Sequence, residues 1–387
     1  MTLYSNDSPI YTEIDLGAFR HNLKEIKRIL NPGAKIMAVV KADAYGHGGE
    51  MIACEAVSGG TAFFAVARMN EAIHLRDCGI EAPILLFDDC VSENTARYIE
   101  LNVRPTISTF DEAERFSNKA SQNRTKLKVH IKIDTGMGRL GFIADGLTSD
   151  QEYYPLAGEI KKISELPFIE IEGVYSHFAN ADTKDKTHAN HQLDLFLKLK
   201  RELENILPQK ILFHMANSAA IMEIPESHFD MVRPGIIMYG LYPSGEVDKS
   251  RIDLKPVMSL KSKIIHIKKV GPGFKVSYGS TFTTDRDTVI ATVPAGYADG
   301  LSRLLSSKGE MLVRGKRAPI MGRVCMDLTM IDVTFIDGVT LNDEVVIMGS
   351  QGANTISADE IAEKTGTINY EVVSSIAPRV PKKFINV

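Results

Sequence analysis

The sequence predicts an α/β chain in two parts: an N-terminal (β/α)8 barrel of the TIM type over residues 1–243, and a mostly β C-terminal part over residues 244–387. Eight short apolar segments before residue 240, most of them separated by stretches of helical periodicity, indicate a parallel sheet. Eight such units favour a closed barrel over an open sheet. After Tyr242-Pro243-Ser244-Gly245, which is typical of a linker, segments with strand character dominate.

The individual elements follow from periodicity, taken in chain order. Asp15 is a suitable N-cap for a first helix, because apolar residues follow it at helical intervals from Leu16 to Leu30. The eight predicted barrel strands lie at 36–41, 62–66, 83–87, 104–107, 128–134, 171–175, 211–214 and 229–233. The second part is predicted to hold strands at 257–270, 288–293, 311–314, 318–324, 328–335 and 344–348, and one short helix at 358–364.

The composition indicates a globular protein whose main partner is neither nucleic acid nor an anionic membrane. Of the 387 residues, 44% are hydrophobic, and the net charge is −4. No apolar run reaches the roughly 18 residues that a membrane span needs, and the first ten residues lack the pattern of a signal peptide. The four cysteines have no CxxC spacing, which predicts reduced thiols in a cytoplasmic protein and neither a disulfide frame nor a zinc site: Cys54, Cys78, Cys90 and Cys325.

Polar residues follow five of the predicted barrel strands: Lys41, Asp134, His177, Asn217-Ser218 and Arg233. Each has an ordinary structural explanation when it is considered alone. A lysine can extend to solvent or pair with Asp43, a histidine can be hydrogen-bonded in the core, an arginine can form an ion pair, and a serine can cap a helix. Barrel enzymes, however, carry their reactive groups at the carboxyl ends of their strands. The convergence of these residues at that face therefore predicts a functional site.

The glycine-rich segment Gly136-Met137-Gly138-Arg139-Leu140-Gly141 matches the pattern G-x-G-x-x-G and follows a predicted strand. A dinucleotide-binding loop also needs a helix that opens at the third glycine and an acidic residue about 20 positions later. Residues 142–150 show no helical apolar stripe, and the segment follows the fifth strand of the series instead of the first. These features disfavour a nicotinamide-dependent enzyme.

The loops after the seventh and eighth predicted strands are the usual phosphate-binding position of a barrel. Ser218 offers a hydroxyl group there, and Gly235 and Ile236 offer backbone N–H groups. At the end of the first strand, Lys41 can form a Schiff base with a carbonyl group if its amine is kept partly neutral. A lysine of this kind, together with a phosphate site, predicts pyridoxal 5′-phosphate as the cofactor.

Six motifs carry a likeness to a known family: Val39–Gly48, Asp134–Gly141, Arg233-Pro234-Gly235, Tyr278-Gly279, Gly296–Gly300 and Cys325-Met326-Asp327. With these motifs the chain resembles the alanine racemase family over essentially its whole length. The resemblance implies an isomerase that interconverts L-alanine and D-alanine through an external aldimine of pyridoxal 5′-phosphate. It also implies two catalytic bases, Lys41 for one face of Cα and Tyr278 for the other, and a role in supplying D-alanine for peptidoglycan precursors.

The resemblance further implies roles for the remaining site residues. Arg233 would face the pyridine nitrogen, and the cofactor would be held by residues from both parts of the chain: Lys41, Tyr45, His177, Asn217, Ser218, Arg233, Gly235, Ile236 and Tyr370. Lys132, as a carbamate, would position Arg139. The substrate would be contacted by Arg139, Tyr297, Met326 and Asp327. The protein would be a homodimer, with Tyr278, Met326 and Asp327 supplied to each site by the other subunit.

Three alternatives among pyridoxal-phosphate proteins stay open from the sequence. A racemase of the same fold can also accept serine or other small amino acids, because small apolar differences are worth only about 1–3 kcal/mol. Amino-acid decarboxylases share the two-part plan but usually place a glutamate where this chain has Arg233. Non-catalytic cofactor-binding barrels are single-domain proteins, whereas residues 244–387 form a second part here. Cell-wall synthesis and amino-acid breakdown are both compatible with the sequence.

Overall fold

The structure, a computed structural model, describes residues 8–88, 91–146, 150–207 and 210–387, with only the backbone for residues 150–154. Cys90 and the first seven residues therefore lie outside the described residues. The chain forms two compact units. The barrel unit comprises Phe19–Ala44 and Gly49–Lys255, and the β unit comprises Met1–Ala18, Tyr45–Gly48 and Pro256–Val387. The predicted domain boundary near residue 243 stays a prediction.

The barrel unit is a closed ring of eight parallel strands, which confirms the predicted fold class. Up to residue 232, the strands in the described part of the chain are β1 (Tyr11–Asp15), β2 (Lys35–Val39), β3 (Phe63–Val66), β4 (Ile84–Leu86), β5 (Val103–Ile107), β6 (Leu127–Asp134), β7 (Phe142–Ile143), β8 (Ile169–Tyr175), β9 (Leu212–His214) and β10 (Met231–Val232). Strands β2 to β6 and β8 to β10 pair in succession, and β10 pairs with β2 to close the ring. Each of the eight predicted segments overlaps one of these strands.

Helices alternate with the strands, and side-chain caps explain where several of them begin. They are α1 (Leu16–Ile29), α2 (Gly49–Ser58), α3 (Met69–Asp77), α4 (Thr95–Glu100), α5 (Phe110–Asn123), α6 (Asp150–Glu165), α7 (Thr187–Ile206) and α8 (Ser218–Glu223). Asp15 caps α1 as predicted, because its Oδ1 accepts a hydrogen bond from Ala18 N–H at 3.0 Å. Among the described residues, no helix combines the length and the apolar character that crossing a membrane requires.

Within its described residues, the β unit contains three sheets. Besides β1, its strands are β11 (Met258–Lys263), β12 (His266–Val270), β13 (Lys275–Val276), β14 (Phe282–Thr283), β15 (Thr288–Val293), β16 (Glu310–Val313), β17 (Lys316–Pro319), β18 (Thr329–Asp332), β19 (Glu344–Gln351), β20 (Asn354–Ile356) and β21 (Lys382–Ile385). The largest sheet has the order β17-β16-β19-β11-β1-β21, with β20 on β19, and the others are β12-β15-β18 and β13-β14. The predicted short helix is confirmed as α9 (Ala358–Thr365), and α10 (Asn369–Ser374) follows it.

The β unit differs from expectation at several positions. The strand predicted at 318–324 is observed as β17 (Lys316–Pro319), and β13, β14, β20 and β21 were not predicted. Strand β1 was not predicted, and it completes the largest sheet by pairing antiparallel with β11 and parallel with β21. The prediction of one continuous strand over 257–270 is wrong, because the chain changes sheets in the middle of that segment. Ile264 N–H donates to Asp343 O, next to β19, whereas Ile265 N–H donates to Thr292 O of β15. Local apolar character could not reveal this change of hydrogen-bonding partner.

Candidate active site

The carboxyl ends of the barrel strands carry the predicted polar residues at one face. Asp134 is the last residue of β6, Arg233 directly follows β10, His177 lies two residues after β8, and Ser218 begins α8 after β9. The prediction that Lys41 ends its strand is wrong by two residues, since β2 ends at Val39. Because all strands of the ring are parallel, their carboxyl ends meet at the same mouth.

Lys41 opens a single turn of left-handed helix, which no pattern in the sequence predicted. The four residues that follow it all have φ between 53° and 55°, a conformation that costs roughly 1–2 kcal/mol for each L-residue. Two carboxylates hold the turn in place. Glu71 Oε1 accepts a hydrogen bond from Ala42 N–H at 2.6 Å, and Asp43 Oδ1 accepts one from Gly49 N–H at 2.6 Å. Tertiary contacts with the starts of α2 and α3 therefore offset the local strain.

Arg233 is the centre of a buried hydrogen-bond network. Its guanidinium donates to His214 Nδ1 at 2.8 Å, to Ser176 O at 2.7 Å and to Met215 O at 3.0 Å. It also lies 3.2 Å from His177 Nδ1. Burial lowers the pKa of Arg233 to about 10, so the side chain remains a cation at neutral pH. Since a guanidinium has donors and no acceptor, any ligand atom placed against it must accept a hydrogen bond.

The donors of Arg233 determine the tautomers of two buried histidines. His214 Nδ1 accepts from Arg233, so the neutral ring carries its proton on Nε2. That atom lies 2.9 Å from His130 Nδ1, which must then accept, leaving the His130 proton on Nε2. Burial lowers the pKa of both histidines and keeps them neutral. His130 Nε2 lies 3.5 Å from Glu172 Oε2, an electrostatic contact longer than a normal hydrogen bond.

Glu172 lies at the end of the series that runs from Arg233 through His214 and His130. Arg104 forms two hydrogen bonds to its carboxylate, at 2.6 Å and 3.1 Å, and Lys128 Nζ donates to it at 3.0 Å. Burial raises the pKa of Glu172, but His130 and Arg104 together lower it below its usual range. The carboxylate is therefore ionised, and it favours the Nε2–H tautomer of His130.

His177 is surrounded by positive charge. Burial lowers its pKa well below the usual value for histidine, and four cations lower it further: Arg233, Arg139, Lys132 and Lys41. The effect of all four on a single ring places Lys132 of β6 in one site with Lys41, Arg139 and Arg233, which follow β2, β6 and β10. A neutral His177 with Arg233, Arg139 and Lys41 nearby makes this mouth suitable for an anionic ligand.

Lys132 is 4% exposed. Its Nζ donates to Ile133 O at 2.7 Å and lies 5.4 Å from the centre of the Tyr175 ring. Burial lowers the pKa of Lys132 to about 7, and Arg233 and Arg139 contribute in the same direction. A large fraction of Lys132 is therefore neutral at neutral pH.

The glycine-rich segment after β6 folds around a carboxylate of its own chain. Asp134 Oδ1 accepts hydrogen bonds from the N–H groups of residues 136, 137 and 138 at 3.0, 2.8 and 3.1 Å, respectively, and Oδ2 accepts one from Arg139 N–H at 3.0 Å. Strand β7 follows Gly141, so no helix opens there. Because Asp134 already binds these N–H groups, they do not form a pyrophosphate site. A nicotinamide-dependent enzyme is disfavoured by this geometry.

Gly141 allows the end of this segment to lie against β6. It has a φ of +116°, and a Cβ atom at this position would lie 2.7 Å from Lys132 O. Both the backbone conformation and the space therefore require glycine. Arg139 precedes it by two residues and is exposed to solvent.

The loops after β9 and β10 are joined at the predicted phosphate site. Ser218 Oγ accepts a hydrogen bond from Gly235 N–H at 2.8 Å, and Ile236 begins a short 3₁₀ helix that ends at Tyr239. The first N–H groups of such a helix have no partner inside it. Asn217 caps α8, because its Oδ1 accepts from Ala220 N–H at 3.0 Å. A cofactor contact of Asn217 stays a prediction.

Within the β unit, the structure brings together two tyrosines that were predicted to bind the cofactor. The ring centres of Tyr45 and Tyr370 lie 6.2 Å apart. Burial raises the pKa of Tyr45 to about 12, so its phenol is neutral and able to donate. Tyr370 belongs to α10, and Gly46 lies close to the same helix, since a Cβ atom at Gly46 would lie 2.4 Å from Val373 O.

Also within the β unit, the four remaining predicted residues lie on neighbouring loops. Tyr278, Met326 and Asp327 line one surface pocket. Tyr297 N–H donates to Cys325 O at 3.0 Å, which places Tyr297 beside the Met326 loop. The side chain of Tyr278 is 70% exposed and that of Met326 is 52% exposed.

Sequence reasoning missed the residues that support Arg233 from the barrel interior. Tyr175 stacks on His214 with ring centres 4.9 Å apart, and its ring centre lies 5.2 Å from Arg233 Cζ. His130 completes this group. A signal was present in β6, where His130 and Lys132 alternate with apolar residues. Alternate residues of a barrel strand point into its interior, so this pattern indicates buried polar groups.

Known proteins are similar to this chain over its full length. Residues 14–243 match the family described as "Alanine racemase, N-terminal domain", and residues 257–384 match "Alanine racemase, C-terminal domain". An alanine racemase of Desulfosudis oleivorans is 47% identical over 383 residues, which covers 98% of each chain. A solved structure of alanine racemase from Clostridium difficile 630 has a TM-score of 0.91 at 37% identity, over 99% of this chain and 97% of that one. An alanine racemase structure from Bacillus anthracis with bound L-Ala-P has a TM-score of 0.90 at 38% identity, over 99% of this chain and 96% of that one.

Proposed function

This chain belongs to the alanine racemase family and is an isomerase, and we propose that it interconverts L-alanine and D-alanine with pyridoxal 5′-phosphate as its cofactor. The observation that carries the proposal is the positive charge near His177 at the mouth of the barrel, to which Arg233, Arg139 and Lys41 contribute. Such a site suits a cofactor with a phosphate and a substrate with a carboxylate.

The chemistry of the residues present fits this cofactor. Lys41 offers a primary amine, Arg233 offers a donor that suits a pyridine nitrogen, and Ile236, the first residue of the short 3₁₀ helix, offers a backbone N–H group to a phosphate. The N–H of Gly235 donates to Ser218 Oγ in this structure and would have to exchange that partner for a phosphate oxygen. Phosphate contacts from Tyr45 and Tyr370 rest on the family resemblance and on the pairing of these rings. When bound, pyridoxal phosphate supplies an aldehyde that condenses with amines and a ring that withdraws electrons from the substrate Cα.

The residues of the barrel unit would have separate roles in the reaction. Arg139 binds the substrate carboxylate, and Lys41 removes or returns the Cα proton on one face. Arg233 keeps its proton at neutral pH because its pKa, although lowered by burial, is about 10. Arg233 would therefore donate a hydrogen bond to the pyridine nitrogen without protonating it, which would limit electron withdrawal by the ring. We propose that this limit favours return of the proton to Cα over misplaced protonation.

We further propose that Lys132 carries a carbamate. An ammonium at this position is disfavoured by burial and by Arg233 and Arg139. The neutral amine, which is abundant because the pKa is about 7, is the form that reacts with carbon dioxide. A carbamate would invert the charge, so that it would attract Arg139 and hold it in place for the substrate.

The second base is proposed to be Tyr278 of another copy of the chain, which makes the enzyme a homodimer. Supporting this, Tyr278 and Met326 form an exposed, largely apolar surface together with Leu328, which is 39% exposed. A surface of this kind favours contact with another protein. Tyr297, Met326 and Asp327 would then contact the substrate from the same loops.

Mixing two inactive variants tests this assignment. Lys41→Ala and Tyr278→Phe proteins are partially dissociated, mixed and reassociated, and racemisation of alanine is measured. Recovery of activity is expected, because the heterodimer would contain one intact site built from both chains. Each variant taken alone through the same procedure is the control. Heterodimers that are verified by differential tags and show no activity would refute the shared site.

Two measurements separate racemisation from the alternatives. In deuterated water, a racemase incorporates deuterium at Cα of alanine and releases no carbon dioxide, whereas a decarboxylase releases it. A panel of L-amino acids followed by polarimetry then measures whether serine is accepted besides alanine. We also propose a cytoplasmic location, on the ground that Cys54, Cys78 and Cys325 are free thiols.

A further inference from the structure

A second group of donor atoms lies outside the mouth of the barrel, on α2 and at the end of α3. Among the residues that the structure describes, Glu50, His74 and Cys78 place a carboxylate oxygen, an imidazole nitrogen and a thiol sulfur within 4.8 Å of one another. The distance from Cys78 Sγ to His74 Nε2 is 3.9 Å. None of these side chains has a part in the site described above.

Helical spacing explains why these residues share one surface. Glu50 and Cys54 are four residues apart in α2, and His74 and Cys78 are four residues apart at the end of α3. Residues at this spacing lie on the same face of a helix. Cys54 therefore shares the face of α2 that carries Glu50.

The donor set is one that selects a particular class of metal ion. A tetrahedral zinc ion has bonds of about 2.3 Å to sulfur and about 2.0–2.1 Å to nitrogen, so its ligands lie about 3.6 Å apart. The 3.9 Å separation of the Cys78 and His74 donors is close to this value. One thiolate and one carboxylate neutralise a divalent charge. A thiolate with an imidazole suits Zn²⁺, whereas Mg²⁺ and Ca²⁺ prefer oxygen ligands.

The geometry points to a surface site for Zn²⁺ or another thiophilic divalent cation, held by Glu50, His74 and Cys78. The fourth position is taken by Cys54 or by water. Binding replaces the proton of the Cys78 thiol, which is released to solvent, and no other covalent change is needed. The sequence predicted no zinc site because the cysteines lack CxxC spacing, but the ligands come from two helices and become neighbours only in the fold.

Such an ion would tie together the two helices that support the Lys41 turn. Gly49, the first residue of α2, donates to Asp43 at 2.6 Å, and Glu71 in the first turn of α3 accepts from Ala42 at 2.6 Å. Metal binding to the folded chain therefore raises its stability by mass action. The chemistry at Lys41 does not require the ion, so racemase activity persists without it.

The test uses the full-length enzyme loaded with its cofactor, kept reduced with a non-thiol reductant and stripped of metal. It is titrated with Co²⁺, whose visible ligand-field bands report tetrahedral coordination, and then with Zn²⁺ in competition. One Co²⁺ per chain is expected, displaced by Zn²⁺ and not by Mg²⁺. His74→Ala and Cys78→Ser should each weaken binding at least about 10-fold, since even loss of an outer-shell partner costs about 10- to 100-fold.

His191→Ala is the matched control, because His191 is also a half-exposed helical histidine near a carboxylate, with Nε2 3.6 Å from Asp145. Its Co²⁺ affinity should equal that of the wild type. Reduced affinity in Cys54→Ser assigns the fourth ligand to Cys54, and unchanged affinity assigns it to water. The site is overturned if tetrahedral bands are absent, or if neither His74→Ala nor Cys78→Ser weakens binding. Unfolding temperatures of the metal-free variants check that each one is folded.

Discussion

Replacing Lys132 with methionine is expected to stabilise the protein most at low pH, and progressively less as the pH rises. Methionine has a similar length and no charge. The pKa of Lys132 is about 7 in the folded chain, mainly because of burial, and 10.5 is the reference value for the unfolded chain. Between these two values the unfolded state binds more protons, so the wild type gains stability as the pH rises.

The size of the effect follows from these two pKa values. Well below pH 7, Lys132 is charged in both the folded and the unfolded state. There the folded wild type is destabilised by about 5 kcal/mol relative to an ideal uncharged side chain. At about pH 9 this penalty falls to about 2 kcal/mol, since the folded lysine is then neutral. The stability difference between the variant and the wild type should therefore shrink by about 3 kcal/mol from about pH 6 to about pH 9.

The assay is denaturant unfolding of both proteins at the two pH values, in buffers depleted of carbon dioxide. The difference in the free energy of unfolding between the two proteins, taken at each pH, excludes the contributions of titratable groups that both proteins contain. A difference that is the same at both pH values would refute a buried lysine with a lowered pKa. Adding bicarbonate at the higher pH provides a control, because only the wild type can form the proposed carbamate and change its unfolding midpoint.

Two further pairs of variants test the hydrogen-bond network around Glu172 and the glycine-rich segment after β6. Glu172→Gln should lower the free energy of unfolding by about 3–5 kcal/mol, because it leaves the buried Arg104 guanidinium without its ion-pair partner. Lys128→Met, which removes a 43% exposed partner of the same carboxylate, should cost no more than about 1 kcal/mol, and equal losses would contradict the assignment. Gly141→Ala should reduce both stability and racemase activity by displacing the backbone of β6. At Gly138, φ is +70°, and an added Cβ atom would have no described atom beyond its chain neighbours within 4 Å. Gly138→Ala should therefore cost only the roughly 1–2 kcal/mol of the left-handed conformation, as unfolding and kinetic measurements would show.

The sequence by itself determined the class of the fold and most of the candidate site. Apolar segments such as 62–66 and 128–134 are long enough, and regular enough, to mark strands whatever they pair with. Once eight such segments are ordered along the chain, the residues that follow them, including Lys41, His177 and Arg233, must meet at one mouth. The prediction of further site residues from the family resemblance also rested on short continuous motifs, which can be recognised directly in the sequence.

The tertiary structure decided what depends on contacts between distant segments. The left-handed turn after Lys41 exists because Glu71 bonds to it from α3, and a strained backbone leaves no local signature. The proton positions on His130 and His214 follow only from the distances that link them to Arg233. The first strand belongs to the β unit because it pairs with β11 and β21. Both partners lie more than 200 residues later in the chain, so no local pattern could predict this pairing. Periodicity reports which face of a segment is buried, and only the folded chain determines what that face is buried against.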